Sequence, residues 1–322
     1  MASFDGLDFA IYRYLSPDGA ARFWGGRRVI DPRVGARDIA TRVGASETAV
    51  RSRLRSLRER GYLADSAVWP NPSLFGVTLQ VVEVPVTEVG ASRALLDDLA
   101  LVDGVTFARD VLDERDRTVQ VYFVADTPAA VARRRGLLVR LTSASALRGP
   151  RPYFVPPASR EPSPLDWRLI EAVRRTPDAS LRELSATLQI SLKTTGTRYR
   201  NLLDAGAIWW THGSRSTELP LALLTALLRK GADPDPVAAQ VASDTPNWIP
   251  IASNGLGLDP GVPRTEFAGL LLVDSPAAVE TAAQQLLDRR GVERVRRTFA
   301  LGSRIYPGWF DEQLARRAPR AK

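Results

Sequence analysis

This sequence repeats itself, and the repeat limits what the chain can fold into. VADTPAAV (Val124–Val131) returns as LVDSPAAV (Leu272–Val279), 148 residues further on. DIATRVGASETAVRSRLRSLRERGYL (Asp38–Leu63) aligns without gaps on ELSATLQISLKTTGTRYRNLLDAGAI (Glu183–Ile208). Ser46/Ser191, Arg53/Arg198, Arg55/Arg200, Leu57/Leu202 and Gly61/Gly206 are identical. Ahead of these blocks LDFAIYRYL (Leu7–Leu15) matches LDWRLIEAV (Leu165–Val173), and the first copy carries about thirteen extra residues in between. The 322 residues therefore read as one unit written twice and diverged. Between the copies PRPYFVPPASREPSP (Pro150–Pro164) holds six prolines and reads as a stiff, extended linker.

Each copy has the same order of expected elements, a three-helix unit followed by strand–helix–strand–strand–helix–strand. In the first copy strands are expected at Val77–Val86, Val105–Leu112, Thr118–Val124 and near Tyr153. Helices are expected near Ala91–Leu101 and from Pro128 to Thr142, with a polar turn at Asp113–Arg117. In the second the pieces are Leu219–Leu228, Pro236–Ser243, Trp248–Ala252, Glu266–Val273, Pro276–Arg289 and Val292–Leu301. Thr127 and Ser275 precede prolines as N-caps of the second helices. A βαββαβ order gives an antiparallel sheet with both helices on one face, a ferredoxin-like unit. A short helix, Trp309–Arg317, is expected to close the chain.

The three-helix units carry the functional pattern. Ala36–Arg42 reads as a short helix, Val43–Ser46 as a tight turn and Glu47–Arg60 as a longer helix. Gly44 frees the turn, Ser46 caps the second helix, and Ile39, Val43, Val50, Leu54 and Leu57 form the buried angle. The second copy repeats this plan, opened by the capping box Ser180–Glu183 and turning at Leu188–Ser191. These are helix-turn-helix units, and the strand-rich segment after each makes a winged version the expectation. A recognition helix presents its outward N-terminal positions to base edges while flanking arginines grip phosphate. The candidates in the first copy are Ser46, Glu47, Thr48, Arg51, Ser52, Arg53 and Arg55, with Arg37 on the preceding helix. Arg51 suits a bidentate guanine contact, and Thr48 a thymine methyl or a phosphate. The second copy offers Lys193, Thr194, Thr197, Arg198 and Arg200, with Gly196 in mid-helix allowing close approach. In the insertion Ser16–Val34, Arg27 and Arg28 beside Trp24 could form an arm in the minor groove, or Trp24 could cover the first helix.

Charge and composition narrow the class. The net charge is +8, and residues 22–60 supply +7 of it through eleven arginines against Asp31, Asp38, Glu47 and Glu59. Such a local field suits an anionic partner, nucleic acid above all. Cysteine is absent and His212 is the single histidine, which speaks against disulfides, thiolate or histidine metal sites and imidazole-based hydrolysis. No metal, no cofactor and no enzymatic activity are expected. There is no apolar run long enough for a membrane and no signal peptide, so a cytoplasmic protein is expected.

LDFAIYRYL followed by ARDIATRVGASETAVRSRLRSLRERGYL resembles the N-terminal helix-turn-helix of the Lrp/AsnC family of transcriptional regulators. WPNPSLFGVTLQVVEVPV (Trp69–Val86) resembles that family's hinge and first sensing-domain strand, and GVERVRRTFALGSRIY (Gly291–Tyr306) its final strand. The resemblance implies an α+β protein, two winged helix-turn-helix units each followed by a ferredoxin-like βαββαβ domain in a pseudo-twofold duplication. It implies double-stranded DNA as partner, with two half-sites about 34 Å apart, a small-molecule effector of amino-acid type and homo-oligomers through the ferredoxin-like domains. The family's Gly-Asp-x-Asp segment is missing. Asp113-Glu114-Arg115-Asp116-Arg117 and the loop Asn254–Arg264, with Gly255, Gly257 and Gly261, stand in its place. The domains expected are 1–68, 69–154, a linker at 155–164, 165–215, 216–306 and a C-terminal helix and tail at 307–322. Two alternatives remain: a siroheme-decarboxylase-like enzyme on the same fold, whose histidine could only be His212, and a protein-interaction scaffold with degenerate helix-turn-helix units.

Overall fold

The structure, a computed structural model, describes residues 5–15, 35–60, 63, 66–114, 116–142, 147–153, 155, 157–212, 221–233, 236–237, 240–241, 244, 248–252, 266–272 and 275–318. Among the described residues the first helices are α1 (Gly6–Leu15), α2 (Ala36–Val43) and α3 (Glu47–Glu59), followed by β1 (Ser66–Pro70). Their core is made by Phe9, Ile11, Tyr12, Leu15, Ile39, Val50, Leu57 and Leu63. Apolar residues three and four apart place this core in the angle between the helices. The second set is α6 (Pro164–Arg175), α7 (Leu181–Leu188) and α8 (Leu192–Asp204), followed by β6 (Ile208–His212). In between lie β2 (Thr78–Val86), α4 (Val89–Asp98), β3 (Val105–Asp113), β4 (Arg117–Ala125), α5 (Pro128–Thr142) and β5 (Arg148–Tyr153). After the second set come β7 (Leu221–Leu228), β8 (Trp248–Ala252), β9 (Glu266–Leu272), α9 (Pro276–Leu287), β10 (Val292–Ile305) and α10 (Gly308–Arg317). Residues 236–237 and 240–241 are helical, within the helix expected there, and 244 is helical just beyond it.

All eight strands of the two βαββαβ runs join one antiparallel sheet in the order β5-β2-β4-β3-β10-β7-β9-β8. Each half follows the ferredoxin-like order, fourth, first, third, second. Val82, Val84, Val119, Val121 and Phe123 pack with Leu95 of α4 and Ala130 and Leu138 of α5, so both helices cover one face. Ala222, Leu224, Phe267 and Val295 pack in the same way on Val279, Ala283 and Leu286 of α9. The opposite faces carry Val111, Thr118 and Gln120 in one half and Leu223, Thr225 and Thr298 in the other, all buried. These residues line a single shared cavity, while Leu79, Val81, Tyr122 and Val124 on the same face of the first half pack with Trp309.

Two strand ladders join the copies, and they differ in symmetry. β1 pairs antiparallel with β6, Ser66 opposite His212 and Pro70 opposite Ile208. Under the 145-residue offset of the helix-turn-helix alignment, the pair Ser66–His212 becomes Thr211–Ala67, which is itself a pair in this ladder. The wing ladder thus matches itself on exchange of the copies. The large sheet does not. β10 runs for 14 residues. Its first part pairs with β7, and Thr298–Ile305 cross over to β3. Among the described residues, β5 pairs with β2 and with no strand of the second half. The pseudo-twofold expected throughout is therefore confined, among these two ladders, to the wing.

The expected stiff linker is docked instead. The Ala158 N–H donates to Ser73 Oγ at 3.0 Å and the Ser159 N–H to the Ala205 carbonyl at 2.9 Å. Ser163 then caps α6 in a capping box with Asp166. The C-terminal helix is likewise no separate tail, because Leu314 and Ala318 belong to the core of the second helix-turn-helix, beside Trp167, Leu169 and Tyr199.

Backbone chemistry separates the two turns. α2 ends at Gly44 with φ 71°, whereas α7 ends at Gln189 with φ 55°. A side chain in this left-handed region costs about 1–2 kcal/mol, part of which glycine's greater unfolded entropy offsets. Gln189→Gly should therefore stabilise the second unit by about 0.5–1 kcal/mol. Amide exchange in α7 and α8 would show it as slower opening; unchanged exchange would mean that this turn stores no strain.

Candidate nucleic-acid interface

The first recognition helix is positioned by its cap and its buried side. Ser46 Oγ accepts from the Ala49 N–H at 3.1 Å, and Gly44 turns the chain from α2 into α3. Val50 and Leu57 point into the core. Thr48, Arg51, Ser52 and Arg55 are exposed on the other side, as expected, and Arg37 is exposed on α2. Glu47 is half-buried, and its Oε1 accepts from Arg51 Nε at 2.9 Å and Nη2 at 2.5 Å. Two further arginines, Arg42 and Arg58, are exposed on the same unit. The charge census pointed to them, while the recognition-helix pattern did not.

Arg53 does not belong to this surface. It turns inward to Asp5, just ahead of α1, and to Asp8 within it, and Asp8 is fully buried. The Asp5 carboxyl is held below its usual range by the Asp8 N–H, against the opposing effect of burial, with Arg53 adding to the lowering. Arg198 makes the equivalent contact in the second copy, with Nη1 3.1 Å from Asp166 Oδ1 and 3.1 Å from Ser163 Oγ. Burial alone would raise the Asp166 pKa, but hydrogen bonds from Ser163 and Arg198 and the charge of Arg160 hold it down. Both expected DNA contacts, Arg53 and Arg198, are thus braces between recognition helix and first helix. Their place on the 3.6-residue repeat faces that helix rather than solvent.

The second recognition helix has the same frame and a different face. Ser191 Oγ accepts from the Thr194 N–H at 3.1 Å and lies 2.8 Å from Thr194 Oγ1, so Ser191, like Ser46, acts as a cap. Lys193, Thr197 and Arg200 are exposed, and Thr194 is half-buried. Gly196 is turned partly toward α7, where an added Cβ would meet Leu181 Cδ1 at 3.7 Å, an ordinary contact. Its smallness therefore serves no tight packing. Arg27, Arg28 and Trp24, the rest of the Ser16–Val34 insertion and the Asn254–Arg264 loop lie outside the described residues.

Away from this surface, the cavity shared by the two halves of the large sheet has a volume of about 250 Å³. Arg148, Arg151, Arg294 and Arg296 line it together with Glu83, Asp113 and Glu114. The Asp113–Arg117 turn spends its charges internally: Arg148 pairs with Asp116, and Arg117 with Asp110. Ser92 Oγ donates to the same Asp110 carboxylate at 2.7 Å. Among the described residues no group of three or more His, Asp or Glu side chains could hold a metal ion. Nor is any helix there long and apolar enough to cross a membrane.

Comparison with known proteins agrees with this geometry. The family described as winged helix-turn-helix DNA-binding matches residues 31–64 and again 163–208. Both three-helix units are winged helix-turn-helix units. Each contributes one wing strand, and the two strands pair with each other. No curated protein matches the sequence. Among solved structures, the siroheme decarboxylase NirDL is similar at 10% identity and TM-score 0.49, covering 97% of this chain and 99% of its own. An AsnC family transcriptional regulator from Agrobacterium tumefaciens is similar at 16% identity and TM-score 0.33, over 47% of this chain and 96% of its own. LrpC of B. subtilis follows at 17% identity and TM-score 0.31, over 44% of this chain and 94% of its own. Likenesses this distant carry nothing about activity.

Proposed function

We propose that this chain is a sequence-specific, double-stranded-DNA-binding transcriptional regulator of Lrp/AsnC type, a duplicated protomer acting as a fused pseudo-dimer. The observation that carries the reading is the α2–α3 corner. It exposes Thr48, Arg51, Ser52 and Arg55 on the segment that holds +7 of the net charge. The self-matching β1–β6 ladder supports the pseudo-dimer, because it places two helix-turn-helix units about a shared local axis. An effector would sit in the cavity shared by the two halves of the large sheet. Carboxylates and guanidiniums on its walls suit an amino-acid-like zwitterion.

Phosphate neutralisation supplies the test. With about six phosphates contacted, log K against log[salt] should fall with a slope near −5. A flat response on genomic fragments would point to the scaffold alternative. The arginines around the cavity are the one observation that favours the decarboxylase alternative, since guanidinium forks hold carboxylates. Size opposes it, for about 250 Å³ lies below the range of about 300–1,000 Å³ seen for drug-sized ligands, and a tetrapyrrole is larger. Titration with siroheme followed by its visible absorbance decides between them.

A further inference from the structure

We propose that the two recognition helices read unlike half-sites, so that the operator has no twofold symmetry, with guanine required only under α3. This rests on the DNA-binding reading above. Both helices have 13 residues and begin directly after a capping serine, so their positions correspond one to one in space as well as in sequence. In α3 the first and fifth residues are Glu47 and Arg51. In α8 they are Leu192 and Gly196.

The geometry of Arg51 shows what is lost with them. Glu47 Oε1 takes the Nε–H and one Nη2–H, which is one long edge of the guanidinium. The Nη1–Nη2 edge stays free, and it is the edge that can donate in parallel to guanine O6 and N7. The pair is largely solvent-accessible, with side-chain accessibilities of 66% for Arg51 and 40% for Glu47, so it adds little to stability. Its consequence is orientation. A guanidinium held by one edge arrives at a base with less rotamer freedom to lose than an unbraced one. Glu47 is thus a positioning residue and Arg51 the reader.

At the first and fifth positions α8 has nothing to replace this pair, and its exposed cations, Lys193 and Arg200, stand at the second and ninth. Gly196 has no side chain, and Leu192, 47% exposed at the first helical position, is neither donor nor acceptor. An exposed leucine there, with the exposed Thr197 five residues further on, suits the thymine C5-methyl group. Arg198, the nearest arginine in sequence, is committed to Asp166.

The test is selection of bound duplexes from a random library by the full-length chain, repeated with Arg51→Ala and Glu47→Gln. The expected motif carries a guanine in one half without a counterpart in the other. Arg51→Ala should erase an about 5- to 150-fold preference for that guanine and leave the thymine-rich half enriched. Glu47→Gln should blunt the same preference without moving the other half. A palindromic motif would overturn the inference while leaving DNA binding intact. So would a guanine preference that survives Arg51→Ala. No enrichment together with salt-independent binding would instead overturn the regulator reading, and this inference with it.

Discussion

An Arg51→Ala, Arg55→Ala double variant should bind duplex DNA more weakly by about 2–4 kcal/mol, or roughly 30- to 1,000-fold. Arg51 contributes a base contact of about 1–3 kcal/mol, and Arg55 adds a phosphate contact whose loss flattens the salt slope by about one unit. Both side chains are exposed and neither serves the core, so stability should stay within about 0.5 kcal/mol of the parent. The matched variant Lys193→Ala, Arg200→Ala removes two exposed cations from a helix without the Glu47–Arg51 pair. It should cost only about 1 kcal/mol, roughly fivefold. Equilibrium binding on one genomic fragment at two salt concentrations compares the variants directly. Equal losses would show that the two helix-turn-helix units share the load, against the charge distribution.

A larger structural effect is expected from Arg174. Its side chain is 7% exposed and ties its own helix α6 to the wing and to α10. Nη1 donates to the Val68 carbonyl in the wing at 2.6 Å, Nη2 to the Pro307 carbonyl at 3.0 Å, and Nε to Asp311 of α10 at 2.5 Å. Its guanidinium also sits 5.4 Å from the Phe310 ring centroid. Charge-assisted hydrogen bonds contribute about 1.5–3 kcal/mol each, but Asp311 is half-exposed and regains water when released. Arg174→Ala should therefore cost about 3–4 kcal/mol. The loss should appear in hydrogen exchange as faster opening of β1, β6 and α10 together, with α1–α3 unchanged. Arg175→Ala is the control, since Arg175 is 73% exposed in an i,i+4 pair with Glu171 and should change little. If both variants behave alike, Arg174 is not a fastening point.

The sequence was most legible where short-range rules apply. Capping chemistry located Ser46, Ser191 and Ser275. Alternating apolar residues outlined the strands from β2 to β4, and the 3.6-residue repeat found the angle between α2 and α3. Arg53 and Arg198 were misread because basic residues on a recognition helix suggest phosphate. The corrective signal was present, since Asp8 and Asp166 recur in the two copies along with these arginines. Only the folded chain shows that the acids lie beneath them.

What the sequence by itself determined is the repeated unit, its βαββαβ order and the face that α3 offers to solvent, because each depends on periodicity and caps within one element. Tertiary structure alone decided how the copies are joined. Nothing local in Val292–Ile305 says that its last residues leave β7 for β3, nor that the C-terminal helix completes the core of the second helix-turn-helix rather than the first. Strand partners and helix docking are set by which apolar and hydrogen-bonding surfaces remain uncovered once the units have formed. That is a property of the assembled chain, and it is what makes the two halves unequal.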